Sequence, residues 1–182
     1  ASGSMPRDFS LAVNVATLQL MQPDFAERLL ARLQRSALPP GAVEVEVTES
    51  GLMQDVEQAR RQLQALASQG IRIAIDDFGT GYSSLAYLKT LPVSVLKIDR
   101  AFVNDIDNNL QDLRLAETVV QMARNFGFTT VAEGVERAEH TGRLLEIGCQ
   151  LGQGYWYSPP LRAEALVDFQ RRCAETPLRH PS

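Results

Sequence analysis

Residues 71–103 decide the fold, and they read IRIAIDDFGTGYSSLAYLKTLPVSVLKIDRAFV. Residues 71–75 form a short apolar run of the kind found in parallel strands buried on both faces, and two carboxylates follow it directly. A second apolar run, residues 95–98, carries Lys97 and ends at Asp99. We therefore expect two consecutive strands to bring polar groups to the same end of a sheet.

The two carboxylates are Asp76 and Asp77. Adjacent carboxylates repel each other unless a cation, a proton or several hydrogen-bond donors satisfy them. Since Mg²⁺ and Mn²⁺ prefer hard oxygen ligands, the pair indicates a metal site, although capping of the next turn explains an isolated pair equally well. Gly79 and Gly81 surround Thr80 and predict a loop that moves or approaches a ligand closely.

The whole chain alternates between strand patterns and helix patterns. Apolar runs centred near residues 12, 45, 74, 97, 130 and 153 predict six strands separated by helices. The first run spans residues 9–16 and the last spans residues 150–157. Such alternation predicts an α/β fold with parallel strands and right-handed crossovers.

The run at residues 43–48 fits a second arrangement as well. Valines alternate there with Glu44, Glu46 and Thr48, and Glu49 follows. In an antiparallel sheet this pattern would place an acidic face in water. The flanking helices favour a parallel sheet instead, and the sequence leaves both arrangements open.

Polar residues occur at or near the carboxyl end of every predicted strand. In an α/β barrel that edge is where active sites are assembled. Most of these residues offer oxygen donors, which suit a hard divalent cation, and both histidines lie elsewhere, which disfavours zinc. Lys97 alone would also fit a buried ion pair, for instance with Asp99. The strand-end residues are Asn14, Glu46, Asp76, Asp77, Lys97, Asp99, Glu133, Glu136 and Gln153.

Length, composition and net charge limit the classes of protein to which the chain can belong. With 182 residues, 45% of them apolar and 22% charged, the chain is expected to form a single globular domain over residues 1–182, with a frayed tail at 175–182. A net charge of −4 argues against binding a DNA or RNA polymer, which needs a basic face. Cys149 and Cys173 form no CxxC pair, and no signal peptide or apolar run of about 20 residues is present, which favours the cytoplasm.

The segments DDFGTGYSSL and LKID resemble the EAL domains, which are bacterial signalling phosphodiesterases that cleave cyclic di-GMP and adopt a TIM-like (β/α) barrel. The resemblance extends from Leu11 to Leu166. It implies a barrel in which about six of the usual eight strands are present. The Glu-Ala-Leu strand of the family and the arginine after it have no counterpart before Asn14, and Glu164-Ala165-Leu166 lies on the predicted last helix. The resemblance therefore implies an N-terminally truncated EAL-type domain.

The resemblance also implies a role for each matched residue. Lys97 resembles the lysine that orients the attacking water, and Glu49 resembles the residue that steadies the glycine loop. Asp76 resembles the carboxylate that bridges two Mg²⁺ or Mn²⁺ ions, and Asp77 resembles a ligand of the second ion. The implied sets are Lys97, Asp76, Asp77 and Glu133 for catalysis; Asn14, Glu46, Asp76, Asp77 and Glu133 for metal; Gln153, Asp99 and Glu136 for substrate; and Glu49, Gly79, Thr80 and Gly81 for loop support.

Three functions compete at this point. The first is a phosphodiesterase that hydrolyses cyclic di-GMP to linear pGpG, impaired in this chain because the upstream glutamate and arginine are missing. The second is a non-catalytic cyclic di-GMP receptor or protein-interaction domain, and the third is a different metal-dependent barrel enzyme. A pure binder has no need of Lys97 and both aspartates, which favours the enzyme. Expected partners are a second copy in a homodimer and sensor or GGDEF-type domains of a parent protein that can be membrane-anchored.

Overall fold

Six parallel strands form a half-barrel in the computed structural model, which describes residues 9–36, 38–79 and 85–175. The strands lie side by side in sequence order, and each pairs in parallel with the next. The predicted α/β barrel-type fold is therefore confirmed. The strands are β1 (Leu11–Asn14), β2 (Val43–Thr48), β3 (Arg72–Phe78), β4 (Val95–Ile98), β5 (Thr129–Ala132) and β6 (Leu151–Gly152).

Helices connect consecutive strands, as the periodicity predicts. Asp55 caps α4, since its Oδ1 accepts a hydrogen bond from the Gln58 amide at 2.9 Å. Gly127 ends α7 with a φ of 75°, a left-handed backbone that glycine adopts without strain. The helices of the described ranges are α1 (Thr17–Leu20), α2 (Phe25–Ser36), α3 (Glu49–Leu52), α4 (Val56–Ala67), α5 (Leu85–Leu88), α6 (Arg100–Val103), α7 (Leu110–Phe126), α8 (Ala138–Glu146) and α9 (Ala163–Glu175), with a 3₁₀ turn at Pro40–Ala42.

The two faces of β2 are both buried. Its valines pack into the apolar core, and Glu44 and Glu46 are also only 7% and 5% exposed. The antiparallel alternative with a wet acidic face is therefore wrong. In a parallel sheet the crossover helices cover one face, and in this chain the other face lies inside the arc of strands.

The last strand is shorter than its apolar run predicts. Only Leu151–Gly152 pair with β5, so the predicted strand over residues 150–157 is wrong beyond Gly152. The chain turns away because the Gln153 carbonyl accepts from the Val135 amide at 3.0 Å, and the Trp156 amide donates to the Val135 carbonyl at 2.9 Å. A Cβ at Gly154 would overlap the Val135 backbone, so only glycine permits this close approach.

The ends of the sheet are open. Among the described residues, strand β1 pairs with β2 alone, and its four residues are exposed, with Leu11 at 44% and Val13 at 37%. Leu151 of β6 is exposed as well. No helix in the described part of the chain is long and apolar enough to span a bilayer. Glu175 still belongs to α9, and the rest of the predicted frayed tail lies outside the described residues.

We predict that the open edge of β1 recruits a second copy of the chain, because unpaired strand edges bind other strands. Val13→Lys should shift the protein toward monomer in size-exclusion chromatography with light scattering, since a charge on an edge strand disfavours pairing. Leu18→Lys is the matched control, because Leu18 is exposed but lies on α1. A wild-type protein that stays monomeric throughout the micromolar range would contradict the prediction.

Candidate functional site

Lys97 lies at the centre of a cluster at the carboxyl edge of the sheet. Its side chain is only 4% exposed, and its Nζ contacts Glu46 Oε1 at 2.8 Å, Asp76 Oδ1 at 3.2 Å and Glu133 Oε1 at 2.5 Å. These contacts join the ends of four neighbouring strands. Asp99 is not the ion-pair partner that the sequence suggested for Lys97; its Oδ1 accepts from the Ala101 amide at 2.7 Å and caps α6.

The Lys97 ammonium remains charged at neutral pH. Burial lowers its pKa, but hydrogen bonds to Glu133 and Glu46 and the charges of those carboxylates outweigh burial and raise it. A lysine in this state cannot accept a proton, so it can act only as a fixed charge and a donor. Its three N–H groups face three carboxylates, so donation to another group requires exchange of one of these contacts.

A bulge in β3 brings two consecutive aspartates to the same site. In a regular strand, neighbouring side chains point to opposite faces, so Asp76 and Asp77 could not meet. The pairing of β3 with β4 shifts register between Ile75 and Phe78, and Asp77 has a left-handed φ of 54°. As a result, carboxylate oxygens of Asp76, Asp77 and Glu133 lie within 4.8 Å of one another.

The cluster has more negative than positive charge. Burial raises the pKa of Asp77 to about 6, with help from a hydrogen bond to Asp99 and from the charges of Asp76, Asp99 and Glu133. Burial also raises the pKa of Glu133, although its hydrogen bond with Lys97 opposes that shift. The donors are all oxygens, which fits Mg²⁺, Mn²⁺ or Ca²⁺ and not zinc. A bound divalent cation would offset the repulsion.

Glu49 connects the end of β3 to α3. Its Oε2 accepts from the Gly79 amide at 3.2 Å, while its Oε1 is buried and has no hydrogen-bond partner among the described residues. Gly79 has a φ of 98°, and a Cβ there would lie 3.0 Å from the Phe102 ring. The backbone directly after Asp77 is therefore held by a buried carboxylate. Thr80 and Gly81, the other predicted loop residues, lie outside the described residues.

The remaining predicted residues lie at the same edge of the sheet by their backbone positions. Asn14 ends β1 and is in register with Glu46 of β2. Gln153 follows β6, and its backbone bonds to the 133–136 loop that contains Glu136. The structure thus gathers Glu46, Asp76, Asp77, Lys97, Asp99 and Glu133 by side-chain contact.

Sequence reasoning missed a second polar cluster beside this site. Arg137 Nη2 donates to the Asn104 carbonyl at 2.9 Å and to Asp107 Oδ1 at 3.0 Å, and Arg137 Nε donates to His140 Nε2 at 2.9 Å. Arg137 is 33 positions from Asn104 and 30 positions from Asp107 on the chain, and none of the four residues lies at a strand end. The only sequence signal is that Arg137 follows Glu136 directly.

Comparison with known proteins identifies relatives along most of the chain. The profile of the family described as "EAL domain" matches residues 1–160. The cyclic di-GMP phosphodiesterase NbdA of Pseudomonas aeruginosa is 40% identical over 161 residues, which are 88% of this chain and 21% of NbdA. The bifunctional diguanylate cyclase/cyclic di-GMP phosphodiesterase MucR of the same species is 39% identical over 160 residues, which are 88% of this chain and 23% of MucR.

Solved structures agree with the sequence comparison. The PaMucR phosphodiesterase in its c-di-GMP complex superposes with a TM-score of 0.84 at 40% identity, covering 87% of this chain and 64% of that chain. Klebsiella pneumoniae BlrP1, in a manganese and cyclic di-GMP complex, superposes with a TM-score of 0.78 at 35% identity. The match covers 85% of this chain and 40% of the BlrP1 chain. The chain spans less than a quarter of NbdA and MucR.

We predict that Asp77→Asn stabilises the protein in the absence of added metal at pH 8. The pKa of Asp77 rises from 3.8 to about 6 on folding, so the folded state binds more protons between these values, and this group reduces stability as the pH rises through that window. Asn tolerates the left-handed backbone of position 77 almost as well as Asp does. Thermal melts at pH 4 and pH 8 measure the effect, which should be larger at pH 8.

The same variant should lose most of the increase in melting temperature that MnCl₂ gives the wild type, because one oxygen ligand is removed. Asp24→Asn is the control, since Asp24 forms only an exposed pair with Arg28. Equal stability of wild type and Asp77→Asn at pH 8 would mean that neither burial nor the neighbouring carboxylates disfavour the charged form of Asp77.

Proposed function

This chain belongs to the EAL domain family, and we propose that it forms most of a metal-dependent phosphodiesterase domain that hydrolyses cyclic di-GMP to linear pGpG. The observation that carries the proposal is the convergence of three carboxylates on one buried lysine at the carboxyl edge of a parallel sheet, with two more aspartates beside them. Structural ion pairs alone would balance charge more evenly. The names of NbdA and MucR support the substrate.

The metal-binding residues in this proposal are those whose oxygens already converge. Asp76, Asp77 and Glu133 would hold one cation, and Glu46 and Asn14 would complete a second site that shares Asp76. When bound, Mg²⁺ or Mn²⁺ supplies a Lewis acid that lowers the pKa of a water and stabilises charge on the leaving oxygen. The Ca²⁺ and Mn²⁺ complexes of BlrP1 support a cation at this edge.

Lys97 is proposed to orient the water that attacks phosphorus. Because its pKa is raised, it donates hydrogen bonds and does not act as the base. Its position between Glu46, Asp76 and Glu133 places this donor at the point where ligands from three strands meet. A cation that takes over one of these carboxylates would free one N–H group for the water.

Substrate contacts are proposed at the rim of the same edge, from Gln153, Glu136 and Asp99. The phosphodiester is anionic and the cluster is acidic, so its approach depends on a cation that reverses the local charge. Glu49 is proposed to support the predicted glycine segment Gly79, Thr80 and Gly81 through its bond to the Gly79 amide. Gly79 lies two residues after the proposed ligand Asp77.

One observation favours a second candidate function. The strand that contains Asn14 is exposed at all four residues, so within the described ranges no other element covers the site on that side. Hydrolysis by this chain alone should therefore be impaired. A non-catalytic cyclic di-GMP receptor or protein-interaction domain is the alternative, and it would bind nucleotide or partner without turnover.

The setting of the domain is part of the proposal. The domain would act in the bacterial cytoplasm as a homodimer, within a parent protein that can be membrane-anchored. The bifunctional character of MucR supports a GGDEF-type or sensor domain as the covalent neighbour. Cyclic di-GMP, not a nucleic-acid polymer, would be the ligand of the acidic site.

We predict that Asp76→Asn abolishes hydrolysis in the parent domain. Asp76 contacts Lys97 and lies with Asp77 and Glu133, so its loss removes the shared ligand and should lower kcat rather than only raise KM. Turnover of radiolabelled cyclic di-GMP with Mg²⁺ or Mn²⁺ provides the measurement, and Asp24→Asn is the surface control. Near-normal turnover by Asp76→Asn would refute the two-metal proposal.

Lys97→Ala should lower kcat by about 100-fold or more, with nucleotide affinity within a few fold of wild type. The same change removes the ammonium group that pairs with three carboxylates. The melting temperature measured without added metal should therefore also fall. Turnover, isothermal titration with nucleotide and melting curves are needed together. A large loss of stability with kcat intact would assign Lys97 a purely structural role.

A further inference from the structure

Arg137 joins three separate parts of the chain beside the proposed metal site. It directly precedes α8, and its guanidinium bonds to His140 within that helix. It also bonds to Asn104 and Asp107 in the segment between α6 and α7. The planar fork of arginine can make these bonds together, whereas a lysine ammonium at the same position could not.

The partners of Arg137 are themselves well fixed. The His140 side chain is 2% exposed, and its Nε2 lies 2.9 Å from Arg137 Nε. Asp107 is mostly buried and faces the positive guanidinium. The guanidinium and the Asp107 carboxylate therefore form an ion pair that is buried on the Asp107 side, although the Arg137 side chain is 46% exposed.

The segment that ends at Arg137 begins at Glu133. At its inner end, the Glu133 amide donates to the Ile98 carbonyl at 3.1 Å, and the Glu133 carboxylate contacts Lys97. In the middle, Val135 bonds to the turn after β6, and a Cβ at Gly134 would lie 2.7 Å from Arg100 Cβ. Arg137 supplies the side-chain anchor at the outer end, so the segment is held along its whole length.

We propose that Arg137 is a positioning residue that sets the place of the Glu133 carboxylate relative to Asp76 and Asp77. The inference rests on the proposed function only in treating Glu133 as a metal ligand. Glu133 is two residues from Val135 and four residues from Arg137, so a shift of the outer anchor reaches the ligand through a short, tightly packed segment. Neighbours that orient a metal ligand typically change metal affinity by about 10- to 100-fold when they are mutated.

The first test measures the segment directly, without metal or substrate. Amide hydrogen exchange at Glu133 and Val135 should become at least about tenfold faster in Arg137→Ala, because these two amides belong to the segment that Arg137 anchors and bond it to Ile98 and Gln153. The Ala59 amide of α4, a buried residue outside that segment, is the reference and should change less. Arg137→Lys should give an intermediate rate, since it keeps the charge near Asp107 and loses the fork.

The matched control is Arg143→Ala. Arg143 lies on α8, the helix that Arg137 precedes, is 44% exposed, and pairs with Glu146 on the surface at 2.8 Å. Arg143 has the same side-chain chemistry as Arg137 and a similar exposure. Its described side-chain contact is with Glu146 and not with the segment after β5. Exchange at Glu133 and Val135 should not change in Arg143→Ala.

The second test is a Mn²⁺ titration of wild type and variants by calorimetry. Arg137→Ala should bind Mn²⁺ about tenfold more weakly, the low end for a residue that acts through a ligand, and Arg143→Ala should bind as the wild type does. Unchanged exchange at Glu133 and Val135, or faster exchange with unchanged Mn²⁺ affinity, would overturn the positioning role. A wild type that binds no Mn²⁺ would refute the metal part of the proposed function, and hydrogen exchange would still decide whether Arg137 holds the segment.

Discussion

Burial of the Lys97 ammonium among carboxylates is the interaction on which the rest of the site depends. Taking a charge out of water costs several kcal/mol per ion, and only close partners of opposite charge offset that cost. The partners come from β2, β3 and the residue after β5, so the lysine of β4 holds the ends of four strands together. A single buried charge thus fixes the relative positions of groups that are up to 87 residues apart.

The bulge in β3 lets two consecutive side chains, Asp76 and Asp77, face the same site, which a regular strand does not allow. Two consecutive carboxylates can face the same site only if the backbone between them leaves the alternating pattern. The left-handed backbone of Asp77 does this, and Gly79 then returns the chain toward Glu49. Burial, a hydrogen bond with Asp99 and the charges of neighbouring carboxylates raise the pKa of Asp77, so the arrangement favours cation binding at the expense of stability without a cation.

The segment after β5 connects this chemistry to the outside of the fold. Glu133 contacts Lys97 at one end, and Arg137 contacts the segment between α6 and α7 at the other. Glycines at positions 134 and 154 allow backbones to approach where any side chain would overlap. Dense packing of this kind transmits small displacements, because the interior has little free volume.

The sequence by itself determined the alternation of strands and helices, the parallel sheet and most of the residues at its carboxyl edge. Local features, such as periodicity, the Asp55 cap and the DDFGTGYSSL motif, can be recognised in the sequence without a structure. The tertiary structure decided which carboxylates face Lys97, where β6 ends, and that Arg137 meets Asp107. Each of these depends on contacts between residues about 20 to 50 positions apart, and a linear pattern contains no information on the distance between such residues.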